Sequence, residues 1–462
     1  MESGQIQSLF FPHHVHDEIK DLIAQGQIVP FAFHLKDVAV LFEVWRFDLD
    51  LVRNPAQESG VCGFAHVIKE DTVDHNVLFL GTEFGLYISV DGGQRWAQYK
   101  GTDFPSAPVD DIALQARESD LVVATHGRGI WIVDDISPLR ALTPEVMAKE
   151  ATLLPGRPSI QYFDVSGGWP EGDETFHGRN RPTDAQITYY QKGRHIFGDL
   201  KIEIFDQDGK LVDTVAGSKH RGLNRAGWGM HVKPPAVAPA ASALFEAAQG
   251  PRVLPGKYTV KLTKGDHTYT EELDVAMDPR AKYSIEERKA QFDLSMKVYK
   301  ELEHMTYGVE AIEGVRDAAK ARAAKLTEKD PLRKQLQQLS ADCDALRGKI
   351  VATKEGGMIT GEERIREHLG QLYGAVTGYD GKPTDYQVTR TESLGHELQD
   401  VIDDFQKLTQ KQLAAINAGL KKKKLEAISV LAEADWQKKR DESSAAAGAG
   451  MRREEGQMRE MD

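Results

Sequence analysis

Cysteine is almost absent from this chain of 462 residues, where Cys62 and Cys343 stand alone. Two thiols cannot build a disulfide framework, so a small cystine-stapled fold is excluded and the redox compartment stays open. Long apolar runs are missing too, and no segment approaches the roughly 18 residues that a spanning helix requires. The first twenty residues, "MESGQIQSLFFPHHVHDEIK", lack a basic start followed by an apolar stretch, so no secretion signal is read there. Positive charge is also short. The 58 Lys and Arg against 71 Asp and Glu leave −13, which argues against a general affinity for nucleic acid or anionic membrane. Neither "GSKHRG" nor "GVCG" matches a phosphate-binding glycine loop or a nucleophile elbow.

What is present is ordinary in bulk and informative in pattern. Hydrophobic residues make up 40% of the chain, as in soluble proteins, and the length calls for several domains. Between residues 62 and 136, short β-type runs follow one another at even spacing: "VLFLGTE", "GLYISVD" and "RWAQYK", then "VDDIALQA", "DLVVATHG" and "GIWIVDD". Shifted by 44 positions the two groups overlay, with Ile68 on Ile112, Leu78 on Val122, Gly85 on Gly129 and Tyr87 on Trp131. A β-repeat of this period predicts two blades of a propeller, against the competing reading of two unrelated meanders.

Residues 185 to 277 predict a second all-β region. Asp208-Gly209 and Gly265-Asp266 sit between alternating apolar runs as hairpin signals, and "KPPAVAPAASA" reads as a long loop. Several short strands over this span fit an immunoglobulin-like β-sandwich. From Ser284 the period changes to 3.6. Ser284 and Glu287 have capping-box spacing. Leu332, Leu336, Leu339, Cys343, Leu346 and Ile350 then mark one buried helix face. A later stripe runs from Leu394 through Leu398, Val401, Phe405, Leu408 and Ile416 to Leu420, and the breaks between stripes predict about four helices in an antiparallel bundle. Lys421 to Lys424 end a helix, where cations suit the C-terminal dipole.

The expected fold class is thus multidomain, mostly β and then α. An atypical segment spans 1–60, two propeller blades 61–145, an immunoglobulin-like sandwich 150–278, a C-terminal helical bundle 284–440, and a disordered tail 441–462.

Ser89, Asp91, Gly93 and Trp96 resemble the Asp-box, or BNR repeat, of sialidases, sortilin-type propellers and xyloglucanase-type glycosidases, with Arg95 where that pattern usually carries threonine. The longer stretches "HVIKEDTVDHNVLFLGTEFGLYISVDGGQRW" and "DLVVATHGRGIWIVDDISPLRAL" resemble the last two blades of large bacterial sortilin-like or "glycosyl hydrolase" BNR-repeat proteins. "GLNRAGWGM" and "RVLPGKYTVKL" resemble the sandwich that follows the propeller in that family. The resemblance covers about residues 62 to 425 and fails before it, which leads us to expect a truncated member whose first 60 residues have another origin, such as a shifted reading frame. It implies work outside the cytoplasm, which the amino terminus does not support, so localisation is left open.

An Asp-box explains itself by stability. Its carboxylate accepts backbone N–H groups of a tight turn, Gly92 and Gly93 allow the backbone angles, and Trp96 is expected to pack between neighbouring sheets. Antiparallel strands then place "GTEFG" and "THGRG" at the opposite end, so Glu83, Phe84, His126 and Arg128 form the candidate ligand face. His126 and Arg128 could clamp a hydroxyl-bearing or anionic ligand, or they could be rim residues packed on the adjoining blade. Glu83 with Asp110 or Asp111 could supply an acid/base pair, but hydrolysis needs a defined carboxylate separation that spacing does not show. A sialidase site would need an arginine cluster from several more blades, so no catalytic residue is assigned. The cluster of His13, His14, His16 and Asp17 lacks a visible scaffold for zinc, and neither metal nor cofactor is assigned.

The expected function is a non-catalytic, propeller-derived binding protein for a carbohydrate or protein ligand. The alternatives are the C-terminal portion of a glycosidase-like hydrolase and a structural assembly module. Uncovered sheet faces of an incomplete propeller predict self-association. Neither a nucleic-acid partner nor a membrane span is expected.

Overall fold

A computed structural model describes residues 60–101, 104–162, 181–198, 200–240, 244–353 and 362–440. The atypical first segment, its histidine cluster and the tail after 440 lie outside the described residues. The chain forms two compact units, Met1–Thr143 and Pro144–Asp462. Among the described residues no helix is long and apolar enough to cross a membrane.

Among the described residues the first unit holds two antiparallel sheets. One has the order β1 (Ala65–Glu70), β2 (Leu78–Thr82), β3 (Gly85–Ser89), β4 (Ala97–Gln98), and the other β5 (Val109–Gln115), β6 (Asp120–Thr125), β7 (Ile130–Val133). Val67, Phe79 and Leu86 of the first share a core with Val109, Ile112, Leu121 and Val123 of the second. This close packing needs a missing side chain. A Cβ on Gly81 would lie 2.6 Å from Val109 Cγ1 and 2.7 Å from Val109 O.

The repeat is visible in backbone detail. β1 carries a register shift between Ala65 and Val67, and β5 carries one between Val109 and Asp111, each 44 residues later. Thr82 Oγ1 donates to Gly85 O at 3.2 Å across the β2–β3 loop, and Thr125 Oγ1 to Gly129 O at 2.7 Å across the β6–β7 loop. Gly92 N donates to Asn76 O, and Ile136 N to Ser119 O, pinning the turn after the third strand in both sheets.

One correspondence differs from the 44-residue overlay. Gly81 pairs with Val67 and Ala124 with Asp111, an offset of 124 − 81 = 43, so Leu78 corresponds to Leu121 and not to Val122. The connection before β6 is one residue shorter than the one before β2. The Thr125–Gly129 loop is one residue longer than Thr82–Gly85, which restores 44 at β7.

The second unit begins with two sheets that share a core. Their orders are β13 (Gly222–Trp228), β10 (Ala185–Gln191), β8 (Ala151–Leu154), and β12 (Leu211–Ala216), β11 (Leu200–Phe205), β14 (Gly256–Lys264), β15 (His267–Met277), β9 (Ser159–Gln161). Both expected hairpins form, with Gly209 at φ +75° and Gly265 at φ +57°, angles that glycine adopts without a Cβ penalty. Alternation in β11 buries Leu200, Ile202 and Ile204, and Trp228 meets Tyr258 edge-on with ring centres 5.3 Å apart.

Four long helices follow: α1 (Ile285–Ala324), α2 (Pro331–Ile350), α3 (Ile365–Thr377) and α4 (Asp385–Lys422). Ser284 and Glu287 complete the expected capping box, and Cys343 is fully buried on the α2 stripe. The Pro- and Ala-rich stretch read as a loop is more than that. Among its described residues Ala238 is fully buried against the helices, its carbonyl accepts from Arg366 Nε at 2.7 Å, and Ala236 O accepts from Thr306 Oγ1 at 2.9 Å. Gly370 opens α3 to Leu244, whose Cδ1 lies 2.1 Å from where a Cβ would stand.

A buried polar node joins the β-sheets of this unit to its helices. Arg252, ahead of β14, donates to Asp380 Oδ2 at 2.8 Å, and Tyr283 donates to the same oxygen at 3.0 Å. Arg288 of α1 donates to the carbonyls of Arg252 and Val253 and to Gln291 Oε1. Gln291 in turn donates to the carbonyls of Val376 and Tyr379.

Gly250, two residues before Arg252, stands against the backbone of Val232 and Lys233. A Cβ there would be 2.0 Å from Val232 O and 2.5 Å from Lys233 O. We expect Gly250→Ala to lower stability by about 1–3 kcal/mol or more, because backbone cannot yield as a side chain can. Gly314→Ala, in α1 with no atom within 4 Å of the added carbon, should instead raise stability by about 0.5–1 kcal/mol. Denaturant midpoints of the two variants check both signs.

Candidate ligand-binding loops

Strand direction decides where each singled-out residue lies in the first unit. Gly81 meets Val109, and Val109 pairs with Thr125, so the β2–β3 and β6–β7 loops occupy the same end of the two sheets. Glu83, Phe84, His126 and Arg128 are therefore gathered at one end. At the other end lies the Ser89–Trp96 turn, together with the ion pair between Asp71, after β1, and Arg140, after β7.

The turn is a closed set of hydrogen bonds. Gly93 N donates to Ser89 Oγ at 3.0 Å, Ser89 Oγ donates to Asp91 Oδ1 at 2.9 Å, and Arg95 N donates to the same oxygen at 2.9 Å. Gly92 and Gly93 adopt φ +69° and +88°. Arg95 adds its guanidinium, donating from Nε to Asp91 Oδ2 at 2.9 Å, so arginine here reinforces the turn. Burial pushes the Asp91 carboxyl up, and the hydrogen bonds from Arg95 and Ser89 outweigh it and hold the group below the usual carboxylate range. Trp96 departs from expectation. Its indole N–H donates to Gly93 O at 3.0 Å, and its ring packs with Val61, Leu80 and Tyr87, away from the core shared with the second sheet. Leu80 and Tyr87 project from the face opposite Phe79 and Leu86 by strand alternation, and the ring follows them.

Across the sheets, Arg140 forks onto Asp71, with Nε to Oδ2 at 2.7 Å and Nη2 to Oδ1 at 3.0 Å, and Nη2 also reaches Ser119 Oγ at 3.4 Å. Asp71 is almost fully buried. Burial raises its pKa, while Arg140 and the N–H groups of Asp74 and Val73 lower it further, so the net shift is downward. This pair carried no motif that could have flagged it. Its partners are 69 positions apart.

The opposite end is open. Phe84 is 52% exposed and its ring lies over Gly63, where a Cβ would come within 2.6 Å. Glu83 is tied back to Phe64, donating its N–H to Phe64 O at 3.2 Å and accepting from Phe64 N at 3.4 Å. His126 and Arg128 are both exposed. His126 Nδ1 lies 3.5 Å from Asp110 Oδ2, while Arg128 forms no ion pair among the described residues. Asp111 accepts from the N–H of Ile112 at 2.8 Å. The three acids weighed as a hydrolytic pair therefore have three different partners. Among the described residues no group of three His, Cys, Asp or Glu could hold a metal. A groove of about 400 Å³ lies in the second unit against Phe205, Asp206, Lys257, Tyr258 and Glu272. Its acids are engaged: Glu272 with Lys257, and Asp206 with the N–H groups of Asp208 and Lys210.

No family model matches this chain. No curated protein matches it either. Among solved structures it is similar to one described as "Biofilm associated protein - BSP domain", at 8% identity and a TM-score of 0.16, covering 46% of this chain and 24% of that one. That likeness is too slight to carry fold or function across.

The two lowered carboxylates fix a pH dependence. A carboxyl held below its unfolded value contributes stability above that value, near pH 4, and the contribution is lost as pH falls through the folded pKa. Acid unfolding of the first unit should thus steepen below about pH 4. Asp71→Asn with Asp91→Asn should destabilise at pH 7 and flatten that acid limb. Thermal melts followed from pH 7 to pH 3 check this.

Proposed function

We propose that this chain is a non-catalytic ligand-binding protein whose first unit is a pair of propeller blades of Asp-box type and whose second unit opens with an immunoglobulin-like sandwich. The ligand, a carbohydrate or a protein, is bound at the loop end by His126 and Arg128, beside Glu83 and Phe84. One observation carries the reading: the Asp-box turn and the Asp71–Arg140 pair hold one end of the sheets, while the other end presents a guanidinium with no ion pair among the described residues beside a His–Asp pair. Such groups hydrogen-bond hydroxyls and carboxylates, and Phe84 adds an apolar surface on which a sugar ring can rest. The separate partners of Glu83, Asp110 and Asp111 favour binding over glycoside hydrolysis, which asks two carboxyls to flank one bond.

The repeat also supports self-association. Val122, Ala124, Ile130 and Ile132 of the second sheet correspond to Phe79, Gly81, Leu86 and Ile88 of the first, the face that the second sheet covers there. In the second sheet Ile130 is 72% and Ile132 61% exposed, and among the described residues β7 pairs only with β6.

Retention on an immobilised glycan panel tests the binding site. His126→Ala with Arg128→Ala should weaken retention about tenfold or more, since each lost charged hydrogen bond is worth about 1.5–3 kcal/mol. Unchanged retention, or release of aryl aglycone by the unaltered chain, would overturn the reading. Ile130→Ser with Ile132→Ser should shift light scattering toward monomer. An unaltered chain that is already monomeric would remove the self-association.

A further inference from the structure

The second unit carries a feature that the charge of the whole chain conceals. Two connections between its facing sheets lie at the same end of the strands: the one after β10, whose described residues are 192–198, and 217–221 before β13. Together they hold Lys192, Arg194, His195, Lys219, His220 and Arg221. Among the described residues no carboxylate pairs with Lys192, Arg194, Lys219 or Arg221. Lys192 and Lys219 donate only to carbonyls, those of Ala148 and Gly198. Among the described residues the acids placed at this end by the strand register are Glu150, 3.9 Å from Lys264, and Asp266 in the β14–β15 turn, and the sequence adds Asp199, which lies outside the described residues. A chain of net charge −13 thus concentrates at one tip cations with no carboxylate partner among the described residues.

Between those cations two large apolar side chains point into water. Ile196 is 68% and Phe197 84% exposed. Neither supports the core beneath, and the loop that bears them is held in place without them. His195 N donates to Lys219 O at 3.0 Å, and Lys219 Nζ returns to Gly198 O at 2.8 Å. The 217–221 loop is fastened from below. Ser218 O accepts from Tyr189 and Gln191, and His220 O accepts from Gln191 and Asn224. The tip is built to present its apolar pair on a firm base.

We propose that this tip is a docking site for an anionic membrane surface, with Ile196 and Phe197 entering the headgroup–acyl boundary and the surrounding Lys and Arg side chains meeting lipid phosphates and carboxylates. Cations alone would suit any polyanion. An adjacent exposed Ile-Phe pair gains from burial only where an apolar phase lies beneath the negative charge, as it does in a bilayer. Attraction is local, because charges farther than about 8–10 Å are screened at physiological salt, so the acidic remainder of the chain does not cancel it. The site lies in the other unit from the proposed ligand-binding loops, and its test is independent of theirs.

The experiment is co-sedimentation of the full chain with phosphatidylcholine vesicles, with and without about one-third phosphatidylglycerol, at low and physiological salt. Binding to the anionic vesicles, weakening with salt and absent on pure phosphatidylcholine, is the expected result. Arg194→Glu with Arg221→Glu should reduce partitioning by roughly fivefold or more for each charge. Ile196→Ser with Phe197→Ser should reduce it as well. Phe197→Trp should give a blue-shifted emission only with anionic vesicles. These positions are exposed, so melting curves of the variants should match the parent. No partitioning at low salt would overturn the proposal. So would equal binding to a soluble polyanion such as heparin or DNA that the Ile196 and Phe197 variants leave unchanged, or an emission from the Phe197→Trp variant that vesicles do not move.

Discussion

A buried polar atom that loses water must find another partner, and the joints of this protein are the places where that demand is met. In the first unit Asp71 and Arg140 close on each other across two sheets, and Asp91 collects donors from its own turn. In the second, Arg288, Arg252, Asp380 and Gln291 tie the β-sheets to the first helix and to the α3–α4 connection. Apolar burial supplies the bulk of the driving force at all of these places but leaves relative placement loose. The polar pins set which strand end meets which helix end. Removing one member of such a pin leaves its partner buried and unpaired, which costs more than the pin itself contributes.

Close approach is the second constraint. Where elements come together most tightly, glycine stands at the contact: Gly81 under Val109, Gly370 under Leu244, Gly308 under Ile402. These glycines work through the absence of a side chain and not through unusual backbone angles. Their role is invisible in a propensity reading, which scores a helical glycine only as a weakness.

The parts of the architecture that were legible from sequence are those set by local period. The helix stripes through Leu332 to Ile350, the Ser284 cap, both glycine hairpins and the repeated strands between 65 and 133 follow from side-chain alternation and turn chemistry. Parts that depend on distant meetings were not. Asp71 and Arg140 lie far apart in sequence, Asp110 meets His126 only because β5 pairs with β6, and the Pro- and Ala-rich stretch becomes a strap only when α1 and α3 supply Thr306 and Arg366 to its carbonyls. For the candidate loops, strand polarity put Glu83, Phe84, His126 and Arg128 at the end opposite the Ser89–Trp96 turn, where they lie, whereas which carboxylate faces which cation required the bulge at Val109–Asp111. Trp96 was misjudged for a related reason: a motif states that a ring will be packed, and the parity of the neighbouring strand decides on which side.

The one-residue offset between the two sheets has a bearing on how such a unit can change. A residue withdrawn ahead of β6 reappears in the loop that carries His126 and Arg128, and every rung of the ladder between them is kept. Length is thus traded between the anchored end and the open end, and the pairing of β6 with β5 and β7 is kept. A scaffold with that freedom can lengthen or reshape what it offers to a visitor and leave its own foundations undisturbed.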